Sequence, residues 1–128
     1  MQVLRVMLVD DDAELRGSLT AWLGGLTGVQ VVAEAGCADE AIAMLKRITP
    51  HLVLTDVDMP GMDGFERAKY IRDKDAAPRV VVMSATDSAD YPEFSNLAGA
   101  DTFIFKPRLR ARLAEYFVKQ FGMPALQA

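Results

Sequence analysis

Five short runs dominated by valine, leucine and isoleucine recur along the chain, each followed by a segment of helical period. The runs are VLRVMLV (3–9), VQVVAEA (29–35), HLVLT (51–55), RVVVMS (79–84) and DTFIF (101–105). Runs this short and this continuously apolar are those of strands buried on both faces. Helical signal lies between them in DDDAELRGSLTAWLGGL, DEAIAMLKRI (39–48), GFERAKYIRDK (64–74), a weaker stretch around 92–99, and RLRARLAEYFVKQF (108–121). In the first of these, Leu15, Leu19, Trp22, Leu23 and Leu26 share a face, Asp12 is placed to cap the start and Gly24-Gly25 to end it. In the second, Ile42, Leu45 and Ile48 form the expected buried face and Pro50 ends the helix; Gly64 and Pro78 bound the third. Pro92 delays the fourth.

Strands alternating with helices predict an α/β fold, a doubly wound five-stranded parallel sheet with helices on both faces. A chain of 128 residues is the size of one domain, and its 51% hydrophobic and 25% charged content is that of a globular protein. The formal net charge of −4 argues against nucleic-acid or anionic-membrane partners. No apolar run approaches the roughly 18 residues of a membrane span, and MQVLRVMLVD turns acidic too soon for a signal peptide. A single cysteine, Cys37, allows no internal disulfide and fits a reducing cytoplasm. His51 is the single histidine, so a His/Cys zinc site is excluded. It begins the third strand, about 17 Å from Asp56 at the pitch of a strand, and reads as a boundary residue.

In open parallel sheets ligands bind beyond the carboxyl ends of the strands. Strand one ends in Asp10-Asp11, strand three in Asp56, strand four in Ser84 and strand five in Lys106, while strand two offers only Glu34. With the order 2-1-3-4-5 the ends of strands one, three and four adjoin, and the Lys106 stem reaches inward from the edge. One aspartate at a strand end is ordinarily a cap or turn residue; three carboxylates, a hydroxyl and an amine at four strand ends are a constellation. Clustered carboxylates repel. A hard divalent cation relieves that cost, and all-oxygen ligation suits Mg²⁺. Three carboxylates, a dication and an ammonium sum to zero, which leaves a pocket able to accept a phosphoryl group. A metal and a lysine neutralise its oxygens, and a carboxylate can serve as nucleophile, giving an aspartyl phosphate. GMDGFE is neither a P-loop nor a dinucleotide fingerprint, so the donor is expected to be another phosphorylated molecule.

These segments resemble the receiver domain of two-component response regulators, CheY-like proteins, over essentially the whole chain. LVDDDAELR resembles the family's acidic-pair segment, which gives Asp10 and Asp11 metal-site roles. LTDVDMPGMDG resembles the phosphoacceptor segment, with Asp56 as acceptor and metal ligand and the backbone carbonyl of Asp58 as a further ligand. VVVMSAT places Ser84 at the position of the hydroxyl that moves onto the phosphoryl group. GADTFIFKP supplies Lys106 as the phosphate-binding lysine and implies a cis Lys106–Pro107 bond. Phe103 stands where receivers carry a switch aromatic, and is equally placed as a plain core residue of its strand. Asp58 and Thr86 occupy positions that tune dephosphorylation in the family.

The resemblance further implies the flavodoxin-like (βα)5 sandwich and Mg²⁺ (or Mn²⁺) as cofactor. Its donor would be the phosphohistidine of a sensor histidine kinase or a phosphotransfer protein, and its output face helix 4–strand 5–helix 5, open to homodimer formation. It implies a cytoplasmic signalling module that catalyses its own phosphorylation and dephosphorylation, without direct nucleic-acid or membrane binding. Residues 1–122 would be the receiver, and 123–128 a tail or the start of a linker to an absent output domain. Departures are the polar DSADYPEFSNLAGA at helix four and Arg108 where many receivers place an apolar residue; Arg108, Arg110, Arg112 and Lys119 form a solvated face or pair with acids of a second copy. Two other readings stand beside this one. Asp56-x-Asp58 resembles the nucleophile and general-acid pair of haloacid-dehalogenase-like phosphatases, and a non-phosphorylated pseudo-receiver would be a binding module alone.

Overall fold

The computed structural model describes residues 3–59, 64–73 and 77–123. Five strands and five helices alternate: β1 (Leu4–Val9), α1 (Ala13–Gly24), β2 (Val29–Ala35), α2 (Ala38–Leu45), β3 (Leu52–Asp56), α3 (Gly64–Arg72), β4 (Arg79–Ser84), α4 (Tyr91–Leu97), β5 (Thr102–Phe105) and α5 (Leu109–Phe121), with a 3-10 turn at Lys106–Arg108 before α5. All strand pairs are parallel and the sheet order is β2-β1-β3-β4-β5. This is the doubly wound, flavodoxin-like sandwich that the alternation predicts.

Strand side chains alternate between two cores. Val6, Leu8, Leu52, Leu54, Val81, Met83 and Ile104 pack with Leu19 and Leu23 of α1 and Leu113 and Phe117 of α5. Met7, Val9, Val53, Val80 and Val82 face Ala41 of α2, Ala68 and Ile71 of α3, and Ala98 just after α4. Burial on both faces is why the strands show no polar alternation. At the amino edge of β4 and β5, Arg79 Nη1 lies 2.9 Å from Asp101 Oδ2, which also accepts from the Tyr116 hydroxyl at 2.7 Å.

Local expectations meet the structure unevenly. Asp12 caps α1, accepting from Glu14 N and Leu15 N. Helix α2 ends at Leu45 rather than 48, and it buries Ala38 and Ala41, leaving Ile42 and Leu45 half-buried. Leu45 still packs against the core on this side, at partial exposure. Pro92 sits in the first turn of α4, where its missing N–H costs nothing. The Lys106–Pro107 bond, expected in cis, is trans: no cis bond occurs among the described residues. Trans is the lower-energy isomer, and Pro107 opens a 3-10 turn that uses its fixed φ. Positions 60–63 of LTDVDMPGMDG, the expected last residue of helix three and the tail beyond Met123 lie outside the described residues.

Two residues of α3 fix how that helix seats on β3. Arg67 is completely buried; its Nε donates to Thr55 Oγ1 at 3.0 Å and its Nη2 to the backbone carbonyl of Asp56. Gly64 opens the helix where a Cβ would stand 2.2 Å from Val57 Cα and 3.0 Å from the Asp56 carbonyl oxygen. Backbone cannot yield to such an approach, so Gly64→Ala is expected to cost about 1–3 kcal/mol. By contrast, an added Cβ at the exposed mid-helix Gly17 meets nothing within 4 Å, and Gly17→Ala should gain up to about 1 kcal/mol. Chemical denaturation of the two variants checks both signs.

Candidate functional site

Register brings the polar strand ends together. Val9 pairs with Thr55, so Asp10 and Asp56 follow side by side on neighbouring strands. Asp56 pairs with Met83, one residue before Ser84, and Ser84 pairs with Phe105, one residue before Lys106. The strands β1, β3, β4 and β5 thus deliver an acid pair, an acid, a hydroxyl and an amine to one rim.

Lys106 reaches across that rim, its Nζ 2.9 Å from Asp10 Oδ2 and 3.2 Å from Asp56 Oδ2. Asp10 and Asp56 are buried and Asp11 is exposed. The remaining carboxylate oxygens are held by backbone: Asp10 Oδ1 accepts from Asp12 N at 2.9 Å, and Asp56 Oδ1 from Asp58 N at 3.0 Å. Arg16 Nη1 donates to the Asp10 carbonyl at 2.6 Å, bracing the β1–α1 turn from behind. One oxygen from each of Asp10, Asp11 and Asp56 falls within 4.8 Å of the others. These donors are hard oxygens on a site open to solvent through Asp11, and they fit a small divalent cation such as Mg²⁺.

Crowding and burial shape the electrostatics of the rim. Burial raises the Asp56 carboxyl above the ordinary aspartate range, and the neighbouring Asp10 raises it further. The Asp58 N–H and Lys106 oppose that rise without cancelling it. Burial alone would depress Lys106, but its bonds to Asp10 and Asp56 outweigh that and hold its ammonium above the usual lysine value. The amine is therefore a fixed positive charge at neutral pH.

Ser84 belongs to the same rim but not to the same hydrogen bonds. Its Oγ donates to Asp58 Oδ2 at 2.5 Å and accepts from Thr86 N at 2.9 Å. Thr86 thus enters through its backbone, and its side chain is exposed. Phe103 lies half-buried on β5 with its ring edge-to-face against Tyr91 of α4, centroids 5.4 Å apart. Tyr91 packs in turn on Phe65 of α3. His51 precedes β3, and its Nδ1 accepts from Arg5 N, a boundary role at the opposite end of the sheet. Of the basic residues near α5, Arg110 donates to Ser18 Oγ and stacks over Trp22, and Arg112 pairs with Glu115.

Sequence reasoning missed Arg67. Its signal was present: Arg67 falls on the α3 stripe of Gly64, Ala68 and Ile71, where a charged residue has to be buried with partners. What the stripe does not carry is the identity of those partners, Thr55 and the Asp56 carbonyl.

Known proteins resemble this chain in sequence and in fold. The family profile of the response regulator receiver domain matches residues 6–118. Response regulator GacA of Pseudomonas aeruginosa is 30% identical over 104 residues, covering 81% of this chain and 49% of that protein. A protein-glutamate methylesterase/protein-glutamine glutaminase of Paramagnetospirillum magneticum is 37% identical over 113 residues, 87% of this chain and 30% of its own length. The chain therefore spans half or less of these relatives. Among solved structures, the response regulator domain of Thermotoga maritima CheB superposes with a TM-score of 0.80 at 28% identity, covering 96% of this chain and 99% of that one. The CheX-CheY-BeF3-Mg complex from Borrelia burgdorferi gives 0.82 at 28% identity, with 92% and 89% covered. On its strand order, its acidic rim and these matches, the chain belongs to the response regulator receiver domain family of two-component signalling.

Proposed function

We propose that Asp56 is the phosphoacceptor of a signalling switch, charged by the phosphohistidine of a sensor histidine kinase or a phosphotransfer protein. The observation that carries this reading is the Lys106 ammonium lodged between Asp10 and Asp56. In the transfer, an Asp56 carboxylate oxygen attacks phosphorus and the P–N bond to the donor imidazole breaks. The imidazole nitrogen keeps the electron pair and takes up a proton, leaving an acyl phosphate on Asp56. Lys106 exchanges its bond to Asp56 for one to a phosphoryl oxygen while staying anchored on Asp10, so the charge that develops there meets a cation already in place. Ser84 supplies a hydroxyl to a second phosphoryl oxygen. Hydrolysis by water returns the free carboxylate, with Asp58 and Thr86 beside the path of that water and setting its rate.

The Asp10, Asp11 and Asp56 carboxylates and the Asp58 carbonyl would hold Mg²⁺ (or Mn²⁺). When bound, the cation neutralises negative charge on the acceptor and the phosphoryl group. The chain acts catalytically on its own modification only. Its output is presented by the α4–β5–α5 face, with Phe103 reporting on Ser84 through its packing on Tyr91, and a second copy docks on that face. The family match supports this reading over a phosphatase using Asp56 and Asp58. The complete rim of Asp10, Asp11, Asp56, Ser84 and Lys106 supports it over a pseudo-receiver.

Three outcomes are expected. Incubation with Mg²⁺ and a small acyl phosphate adds a single phosphoryl group by intact-mass measurement, and Asp56→Asn abolishes the adduct. Asp58→Asn alters the decay rate of that adduct; unchanged decay refutes its assigned role. The third concerns stability. Because the folded protein holds the Asp56 proton to higher pH than the unfolded chain does, ionising Asp56 costs stability progressively as pH rises from the unfolded pKa to the raised folded one. Metal-free Asp56→Asn is therefore expected to be at least as stable as wild type at pH 7, with a flatter loss of stability between acid and neutral pH. Mg²⁺ at about a hundredfold its Kd should add about 2.7 kcal/mol to wild type, little to the variant, and EDTA should remove it. Thermal unfolding across pH reads each effect.

A further inference from the structure

Ser84 is needed by the phosphorylated state yet is bonded elsewhere in the resting one. A serine hydroxyl has one proton to give. Here Thr86 N–H occupies a lone pair of Ser84 Oγ at 2.9 Å, and the proton points to Asp58 Oδ2 at 2.5 Å. The acceptor is a carboxylate, so the bond is charge-assisted. Ser84 itself is buried.

Asp58 is fixed from both ends. Its backbone N–H donates to Asp56 Oδ1 at 3.0 Å and its carboxylate takes the Ser84 proton. One residue thus ties the acceptor to the hydroxyl that has to move. Its side chain is not trapped when the bond opens: Asp58 is exposed, on the wall of the groove between α3 and α4 that Phe65, Glu66 and Lys69 also line. The carboxylate can turn to water without leaving a buried charge behind.

We propose that Asp58 is a positioning residue that latches Ser84 in the resting state, so that a phosphoryl group on Asp56 has to win the single Ser84 proton from the Asp58 carboxylate. The proposal rests on Asp56 being the phosphoacceptor and assigns Asp58 a second, distinct part in the switch. The latch sets the equilibrium between resting and active rims, independently of any effect on water attack. A carboxylate at this position lowers affinity for a phosphoryl group through Ser84; an apolar residue there raises it.

A double-mutant cycle tests this, with BeF3⁻ as the phosphoryl mimic titrated calorimetrically at saturating Mg²⁺. Asp58→Ala is expected to bind BeF3⁻ about tenfold more tightly than wild type, equivalent to about 1.4 kcal/mol. Asp58→Asn, which keeps a neutral acceptor for the hydroxyl, should fall between. In a Ser84→Ala background Asp58→Ala should change the affinity by less than about twofold, because there is no proton left to contest. An equal gain in both backgrounds would overturn the latch in favour of plain repulsion between Asp58 and the anion, and no gain in either would overturn the latch and the repulsion alike. Failure of wild type to bind, or binding unimpaired in Asp56→Asn, would instead remove the phosphoacceptor reading and the latch with it.

Discussion

The Lys106 ammonium between Asp10 and Asp56 is the interaction on which the site depends. Two buried carboxylates on adjacent strands, with a third beside them, could not stay ionised without a compensating cation. A lysine at the end of the edge strand supplies one, and its flexible stem crosses the β4 strand end to do so. The ammonium makes up part of the deficit only. Burial and Asp10 still hold the Asp56 carboxyl above its ordinary range. The three acidic groups at this rim lie close enough together to share a divalent cation.

Support for that rim comes from groups that carry no chemistry. Arg67 spends a buried guanidinium on Thr55 Oγ1 and the Asp56 carbonyl, locking the last two residues of β3 to α3. Gly64 permits the approach that lets Arg67 reach them, since a Cβ would collide with Val57. Arg16 does the equivalent for β1 through the Asp10 carbonyl. The carboxylates are thus held by their main chains as well as by Lys106. Ser84 bonds instead to the Asp58 carboxylate. Beside the rim, Phe103, Tyr91 and Phe65 stack edge-to-face across β5, α4 and α3.

Much of this was legible in one dimension. Strand runs of unbroken Val, Leu and Ile can be satisfied only by burial on both faces, and that forces alternating helices and parallel pairing. β2 and β4 fall at the expected residues, 29–35 and 79–84. Asp10, Asp11, Asp56 and Lys106 were findable because polar residues ending apolar strands all leave a parallel sheet by the same edge. Other features misled. Ile42 and Leu45 have the right period for a buried stripe, yet both stay half-buried, Leu45 packed against the core, while the smaller Ala38 and Ala41 are buried outright. Helix-to-sheet distance decides which side of a broad apolar face is buried, and periodicity does not encode distance. The Lys106–Pro107 bond is trans because a local 3-10 turn accepts it.

The sequence by itself determined the layering, the strand directions and the set of side chains that reach one rim, since all follow from periodicity and from which runs are apolar throughout. Tertiary structure alone decided who bonds to whom. Ser84 could have faced Asp56, Lys106 could have chosen one acid, and Arg67 could have turned to solvent. Hydrogen bonds act over about three ångströms, a scale set by strand register and helix seating, whereas hydrophobic patterning fixes position only to within a face.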